Sequence, residues 1–217
     1  LDNLNLKIPT GSVIGLVGAN GAGKTTLIKL LLGIVKKDSG NINMINKEEI
    51  GIVLDDAFLP ELLKINDINQ IMKNVYKNWD EKIFKDYLKK FNLTNNIPIK
   101  SLSKGMKKKL EIAVSLSHHP KFLILDEPTS GLDPIVRGEV LDLFREFMED
   151  DTHSILISSH ITSDLESVAD YIVLIDNGKI ILNKSITDIM DNYGIIHCTK
   201  EMFHKLTPEC ISYRQNK

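Results

Sequence analysis

The sequence predicts an α/β fold with a mixed, mainly parallel sheet, an N-terminal antiparallel β element and an inserted α-helical subdomain. Three observations carry that prediction. Four short apolar runs (13–17, 51–54, 122–125 and 155–159) are rich in Val, Ile and Leu and do not alternate, as expected of strands buried on both faces of a parallel sheet. Helical patterns lie between them, and a glycine-rich loop follows the first run.

The elements follow in chain order. Leu4, Leu6 and Ile8 alternate with polar residues, a strand signature at the front of the chain. The first residue is Leu1 rather than Met, so the sequence is expected to begin inside a domain, with its natural front removed. After the run at 13–17, the apolar stretch 27–32 stops at Gly33, a residue suited to a helix C-terminus. Ile68, Ile71, Met72, Val75 and Trp79 then form one helical stripe. Asp80 is placed to cap a second helix whose stripe is Ile83, Phe84, Tyr87, Leu88 and Phe91. Val140, Leu141, Phe144 and Phe147 mark a further helix over 137–148. Asp176-Asn177-Gly178 separates two apolar runs, a strong hairpin signal.

These elements give one domain over 1–217. Its α/β core is expected at 1–56 and 119–183, a helical subdomain at 57–118 and a short tail at 184–217. The net charge is −2, from 27 basic and 29 acidic residues, which leaves no overall field drawing the chain to nucleic acid or anionic lipid. The two cysteines, Cys198 and Cys210, are too few for a disulfide framework and not spaced as a CxxC pair. They read as small buried apolar residues in a reducing compartment. No apolar run approaches the ~18 residues needed to span a bilayer, and the expected location is cytoplasmic.

Residues 18–25 read GANGAGKT, the spacing of a phosphate-binding loop. Each residue type has a reason. Glycines let the backbone close around a triphosphate with its N–H groups turned inward. Lys24 reaches the β- and γ-phosphates and the Thr25 hydroxyl suits Mg²⁺. The loop follows a predicted strand and opens a predicted helix, whose N-terminus adds positive potential. The core is therefore of the P-loop NTPase type. The expected nucleotide contacts are Gly18, Ala19, Asn20, Gly21, Ala22, Gly23, Lys24, Thr25 and Thr26.

The strand at 122–125 ends in Asp126 and Glu127. Asp126 is expected to support the metal and Glu127 to act as general base for the attacking water. Taken alone, the two also admit the lesser reading of a solvated charge pair, which the phosphate loop ahead of them disfavours. His160 also lies at a predicted carboxyl edge, where ligands gather in open α/β sheets.

From Ser101 the sequence reads SLSKGMKKKLEIAVSLSHHPKFLILDEPTSGLDP. That stretch, with GANGAGKT before it and His160 behind, closely resembles the ATP-binding-cassette (ABC) ATPases in motif order and spacing. The resemblance covers most of the chain, from Leu1 to about Leu182. It implies two cassettes closing on two ATP-Mg²⁺, with Ser103, Lys104 and Gly105 of the signature segment contacting nucleotide held by a second subunit. Ser130 and Asp133 match the D-loop that crosses the interface, and His160 matches the switch histidine. Lys24, Glu127 and His160 are then the catalytic set. A second ATPase copy and a separate transmembrane permease are the expected partners, at the inner face of the cell membrane, with no nucleic acid. Phe58, Leu59, Pro60 and Leu62 form an apolar cluster suited to the permease or to packing within the insertion. Lys107, Lys108 and Lys109 read as a solvated basic helix face near an anionic ligand.

Three departures stand out. The signature reads LSKGM where the family usually has LSGGQ, so Lys104 and Met106 replace Gly and Gln. Asp55 stands where a metal-sensing Gln is usual and is expected to take over that role, with Asp56 next in line. No aromatic residue lies between Leu1 and Gly18 to stack on adenine. The SKGM signature and the Asp-containing loop resemble exporter ATPases of the bacitracin and multidrug resistance type. Two other classes compete. Ribosome-acting ABC proteins join two cassettes through a charged linker, and chromosome-maintenance ATPases interrupt the head with a long coiled coil. Neither feature occurs here: only about a hundred residues separate Lys24 from Asp126, without sustained heptads.

Overall fold

The structure, a computed structural model, describes residues 1–55, 59–194 and 202. The chain divides into two compact units, Leu1–Ile186 and Thr187–Lys217. In chain order the elements are β1 (Val13–Val17), α1 (Lys24–Leu31), β2 (Ile50–Val53), α2 (Ile65–Val75), α3 (Glu81–Lys90) and α4 (Lys104–Leu116). Then come β3 (Phe122–Asp126), α5 (Pro134–Phe147), β4 (Ser154–Ser158), α6 (Thr162–Val168), β5 (Tyr171–Asp176), β6 (Lys179–Ser185) and α7 (Ile186–Asn192). The second unit contributes most of α7, which buries no side chain. Cys198, Cys210, Asp56 and Phe58 lie outside the described residues.

The six strands form one sheet in the order β2-β3-β4-β1-β5-β6. All neighbours are parallel except β5 and β6. The apolar runs are buried on both faces, as their lack of alternation predicts. Successive residues of a strand enter opposite clusters: Leu123 and Leu125 pack on one side with Phe144 of α5 and Leu110 of α4. Phe122 and Ile124 pack on the other with Leu27 and Ile28 of α1. Parallel pairing brings the carboxyl ends of β1, β3 and β4 to one edge, and the loops leaving that edge carry the chemistry.

Helix α4 lies close on β2 at Gly51. A Cβ there would sit 2.7 Å from the Ser115 carbonyl oxygen and 2.5 Å from Leu123 Cδ2, so only glycine admits the approach. The hairpin turn is as expected: Asn177 and Gly178 take φ of 46° and 75°, the left-handed pair that a two-residue turn needs.

Three expectations are corrected. No strand precedes β1 among the described residues, so the antiparallel part of the sheet is β5–β6 rather than an N-terminal element. Leu4, Leu6 and Ile8 are half-buried against the cluster that holds Ile14 and Leu16. Their alternation reports a segment with one covered side; a strand also needs a hydrogen-bonded neighbour.

The stripe on α2 is shorter and less covered than its periodicity suggests. The helix ends at Val75, and Trp79 lies beyond it, its Nε1–H donating to Asn69 Oδ1 at 2.9 Å. Ile68 is buried, but Ile71 and Val75 are 41% and 58% exposed. Helix α3 is capped as expected, with Asp80 accepting the Lys82 and Ile83 N–H groups.

The third correction concerns the lysines of α4, which are paired rather than solvated. Lys107 reaches Glu61 and Lys109 reaches Glu139, each at 2.6 Å. Lys108 is buried, 3.2 Å from Glu111.

Candidate functional site

The loop from Gly18 to Gly23 turns the chain out of β1 and into α1. It must pass tightly under the β5–β6 hairpin. A Cβ at Gly18 would fall 2.4 Å from the Ile175 carbonyl oxygen, so no larger residue fits. Further along, the Gly178 N–H donates to the Ala22 carbonyl at 2.9 Å, and Gly23 takes φ 118° as the residue capping α1. No side chain caps that helix, so its first N–H groups remain available to an anion.

Lys24 is 7% exposed, and its ammonium donates to the carbonyls of Gly18 and Ala19 at 2.7 and 3.3 Å. Its charge is thus held inside the loop it belongs to. The Thr25 hydroxyl donates to Asp126 Oδ2 at 2.9 Å, joining the start of α1 to the end of β3. Asp126 is buried, and its other oxygen accepts from the Ser158 hydroxyl at 2.5 Å.

Glu127 follows with φ 51°, a left-handed conformation uncommon outside glycine. Two contacts hold it there. Its N–H lies 3.1 Å from the Ser158 carbonyl oxygen and 3.2 Å from the Ser158 hydroxyl. Its carboxylate accepts from the His160 ring at Nδ1, 2.6 Å away, and from the His160 backbone N–H at 3.3 Å. This bond leaves the imidazole Nε2 for a second partner. The Glu127 side chain is 13% exposed and that of His160 55%, so the pair opens towards the sheet edge.

The structure therefore brings Lys24, Thr25, Asp126, Glu127 and His160 into one edge site. Ser103, Lys104, Gly105, Ser130 and Asp133, the residues expected to act across an interface, form a second group. Ser103 caps α4 by accepting the Met106 N–H at 3.2 Å, and Asp133 caps α5 by accepting from Ile135 and Val136, each at 3.1 Å. Lys104 lies across Gly131, where a Cβ would meet its ammonium at 2.8 Å. No described hydrogen bond joins Ser103, Lys104, Gly105, Ser130 or Asp133 to the phosphate loop.

Asp55 is exposed, two residues past the end of β2. The preceding Leu54 carbonyl accepts the buried Lys108 ammonium at 2.7 Å. Sequence reasoning passed over Ser158, which ties Asp126 to Glu127; its signal was the Ser-Ser before His160.

The donor set fits a divalent cation of the hard type. A hydroxyl and a carboxylate oxygen, Thr25 Oγ1 and Asp126 Oδ2, lie side by side, and such oxygens suit Mg²⁺. No group of three or more His, Cys, Asp or Glu among the described residues could hold a metal by itself. A cation here would share its coordination with nucleotide and water, the usual habit of Mg²⁺.

Comparison with known proteins agrees with this geometry. A family model described as ABC transporter matches residues 1–130. A lantibiotic transport ATP-binding protein of Streptococcus pyogenes is 41% identical over 193 residues, covering 85% of this chain and 83% of its own. A bacitracin transport ATP-binding protein of Bacillus licheniformis is 36% identical over 196 residues, covering 83% of this chain and 63% of its own. Among solved structures, an ATP-binding subunit of an ABC transporter superposes with a TM-score of 0.81 at 25% identity, covering 95% of this chain and 92% of that one. A dimeric ATP-binding cassette bound to ADP and phosphate shares the fold, with a TM-score of 0.75 at 22% identity over 86% of this chain and 90% of its own.

Proposed function

Because the chain belongs to the ABC transporter ATPase family, and so binds and hydrolyses ATP, we propose that it is the motor subunit of an exporter. The observation that carries the site reading is the joining of Thr25 to Asp126 beside the Glu127–His160 pair. Its likeness to chains that serve lantibiotic and bacitracin transport supports export.

Residues Gly18 to Thr26 cradle the triphosphate through backbone N–H groups, and the Lys24 charge offsets that of the β- and γ-phosphates. Mg²⁺ would be held by Thr25 and Asp126, with Asp55 contributing from the loop after β2, and would neutralise phosphate charge. Glu127 orients a water and takes its proton as the water oxygen bonds to the γ-phosphorus and the bond to the bridging oxygen breaks. His160 fixes the Glu127 carboxylate and offers Nε2 to the γ-phosphate. Ser103, Lys104, Gly105, Ser130 and Asp133 act across a dimer on the nucleotide of a second copy. That arrangement accounts for their separation from the phosphate loop of their own chain.

A membrane permease in a separate chain is the proposed partner, with this subunit on the cytoplasmic face. No helix among the described residues is long and apolar enough to cross a membrane. The experiment is to tag the chain, purify it from gently solubilised membranes, identify what accompanies it and assay the complex for Mg²⁺-dependent ATP hydrolysis. A stoichiometric polytopic membrane protein is expected. Ribosomal or DNA-repair proteins in its place would overturn the exporter reading and leave the ATPase intact.

A further inference from the structure

The loops leaving β3 and β4 are joined twice. The outer join is Glu127 to His160. The inner join involves two residues with no part in the mechanism above. Thr129 Oγ1 donates to Asp164 Oδ2 at 2.6 Å, with Thr129 fully buried and Asp164 3% exposed. A carboxylate taken that far from water is unfavourable without a hydrogen-bonded partner.

Each end of this bond is linked to the site by a short, hydrogen-bonded path. Thr129 lies two residues after Glu127, in a turn closed by the Ser130 N–H on the Glu127 carbonyl at 3.2 Å. The Thr129 carbonyl in turn accepts the Leu132 N–H at 3.2 Å, just ahead of Asp133. On the other side Asp164 stands in the first turn of α6, its N–H donating to the Ile161 carbonyl at 3.2 Å. Ile161 is the only residue between His160 and α6, and its N–H is held by the Ser159 hydroxyl at 3.0 Å. Thr129 adjoins Ser130 and Asp164 stands four residues after His160, so the buried bond joins the Ser130–Asp133 loop to the turn that presents His160.

We propose that Thr129 and Asp164 are a positioning pair that transmits movement of the loop carrying Ser130 and Asp133 to His160. The pair thereby sets the geometry of the Glu127–His160 contact. The inference rests on the reading of Glu127 as general base and of that loop as facing a second copy. Neither residue of the pair touches reacting atoms. Their effect is on alignment, so hydrolysis depends on the bond while nucleotide binding does not.

The test compares purified full-length variants for ATP turnover, ATP affinity and thermal unfolding. Thr129→Val keeps the shape and removes the donor, and kcat is expected to fall roughly ten- to a hundredfold with ATP affinity held within about twofold. Thr129→Ser and Asp164→Asn both keep a donor and an acceptor and should recover most of the rate. Because Thr129→Val leaves a buried carboxylate unpaired, the double variant Thr129→Val/Asp164→Leu separates folding from alignment. It should unfold near the parent temperature yet remain slow. Glu127→Gln is measured alongside. Parent-rate hydrolysis by Glu127→Gln overturns the reading of the site and this inference with it. An inactive Glu127→Gln beside a fully active double variant overturns this inference alone.

Discussion

The Lys108 ammonium donates to the Leu54 carbonyl oxygen at 2.7 Å, so the helix capped by Ser103 is bolted to the loop that presents Asp55. Lys108 and Glu111 are both buried, 3.2 Å apart. Removing one partner of such a pair leaves a charge without water, whereas replacing both with apolar residues of similar volume is often neutral. Lys108→Met, which also takes the donor from the Leu54 carbonyl, is therefore expected to lower the unfolding free energy by about 3–5 kcal/mol, and Lys108→Met/Glu111→Leu to regain part of it. Denaturant unfolding of the two variants checks this; equal midpoints for Lys108→Met and the parent would contradict it.

Glu127→Gln keeps the size of the side chain but cannot take a proton from water. Turnover should fall by roughly two to four orders of magnitude, while equilibrium binding of ATP is retained. A filter-binding assay set beside a phosphate-release assay separates the two quantities.

Asp55 is the residue proposed to reach the metal from the loop after β2. A charged donor grips a hard cation more firmly than a neutral one, so Asp55→Ala should raise the Mg²⁺ concentration needed for half-maximal turnover and lower the rate. ATP affinity measured without metal should not change. Titration of ATPase activity with Mg²⁺ reads the effect directly, and an unaltered titration would make Asp55 a bystander.

His118 is buried, with Nε2 3.1 Å from the Ile50 carbonyl oxygen and its ring stacked on Tyr76 at 4.0 Å. Burial holds its pKa below the ordinary 6.5. The unfolded chain therefore binds a proton before the folded chain does. The stability this residue contributes is complete above pH 6.5 and drains away as pH falls towards the folded pKa, by at most about 1.4 kcal/mol per pH unit. His118→Phe keeps a stacked ring and cannot titrate. Between pH 7.5 and 5.5 the parent should lose more unfolding free energy than this variant, as followed by denaturant melts at a series of pH values.

Gly18→Ala tests the phosphate loop itself. The added methyl would meet the Ile175 carbonyl, a backbone atom that cannot turn aside. The loop must then shift, and ATP affinity should fall at least roughly tenfold with little change in far-UV circular dichroism.

What could be read from the sequence was what the chain spells locally. GANGAGKT fixes a phosphate loop because its glycines, lysine and threonine act within eight residues of one another. The run 122–125 announces a two-face buried strand because nothing in it alternates. What escaped depends on partners distant in the chain. Lys107, Lys108 and Lys109 look like a solvated row until Glu61, Leu54 and Glu139 arrive from 46, 54 and 30 residues away. Thr129 finds Asp164 across 35 residues. Periodicity has the same limit on α2, where it groups Ile68 with Ile71 and Val75 but does not say how much of that face another element covers. Alternation at Leu4, Leu6 and Ile8 likewise reports a covered side without reporting a ladder.

The left-handed backbone at Glu127 sets stability and activity against each other at a single residue. Asparagine and glycine are at home in that region and glutamate is not, so the native residue costs on the order of 1 kcal/mol or more of backbone strain. Residues chosen for the fold alone would relax that turn and remove the proposed base. Laboratory evolution for heat resistance, run without a requirement for turnover, should therefore accumulate Asn or Gly at 127. Such a chain would outlast its parent in the test tube and no longer hydrolyse ATP.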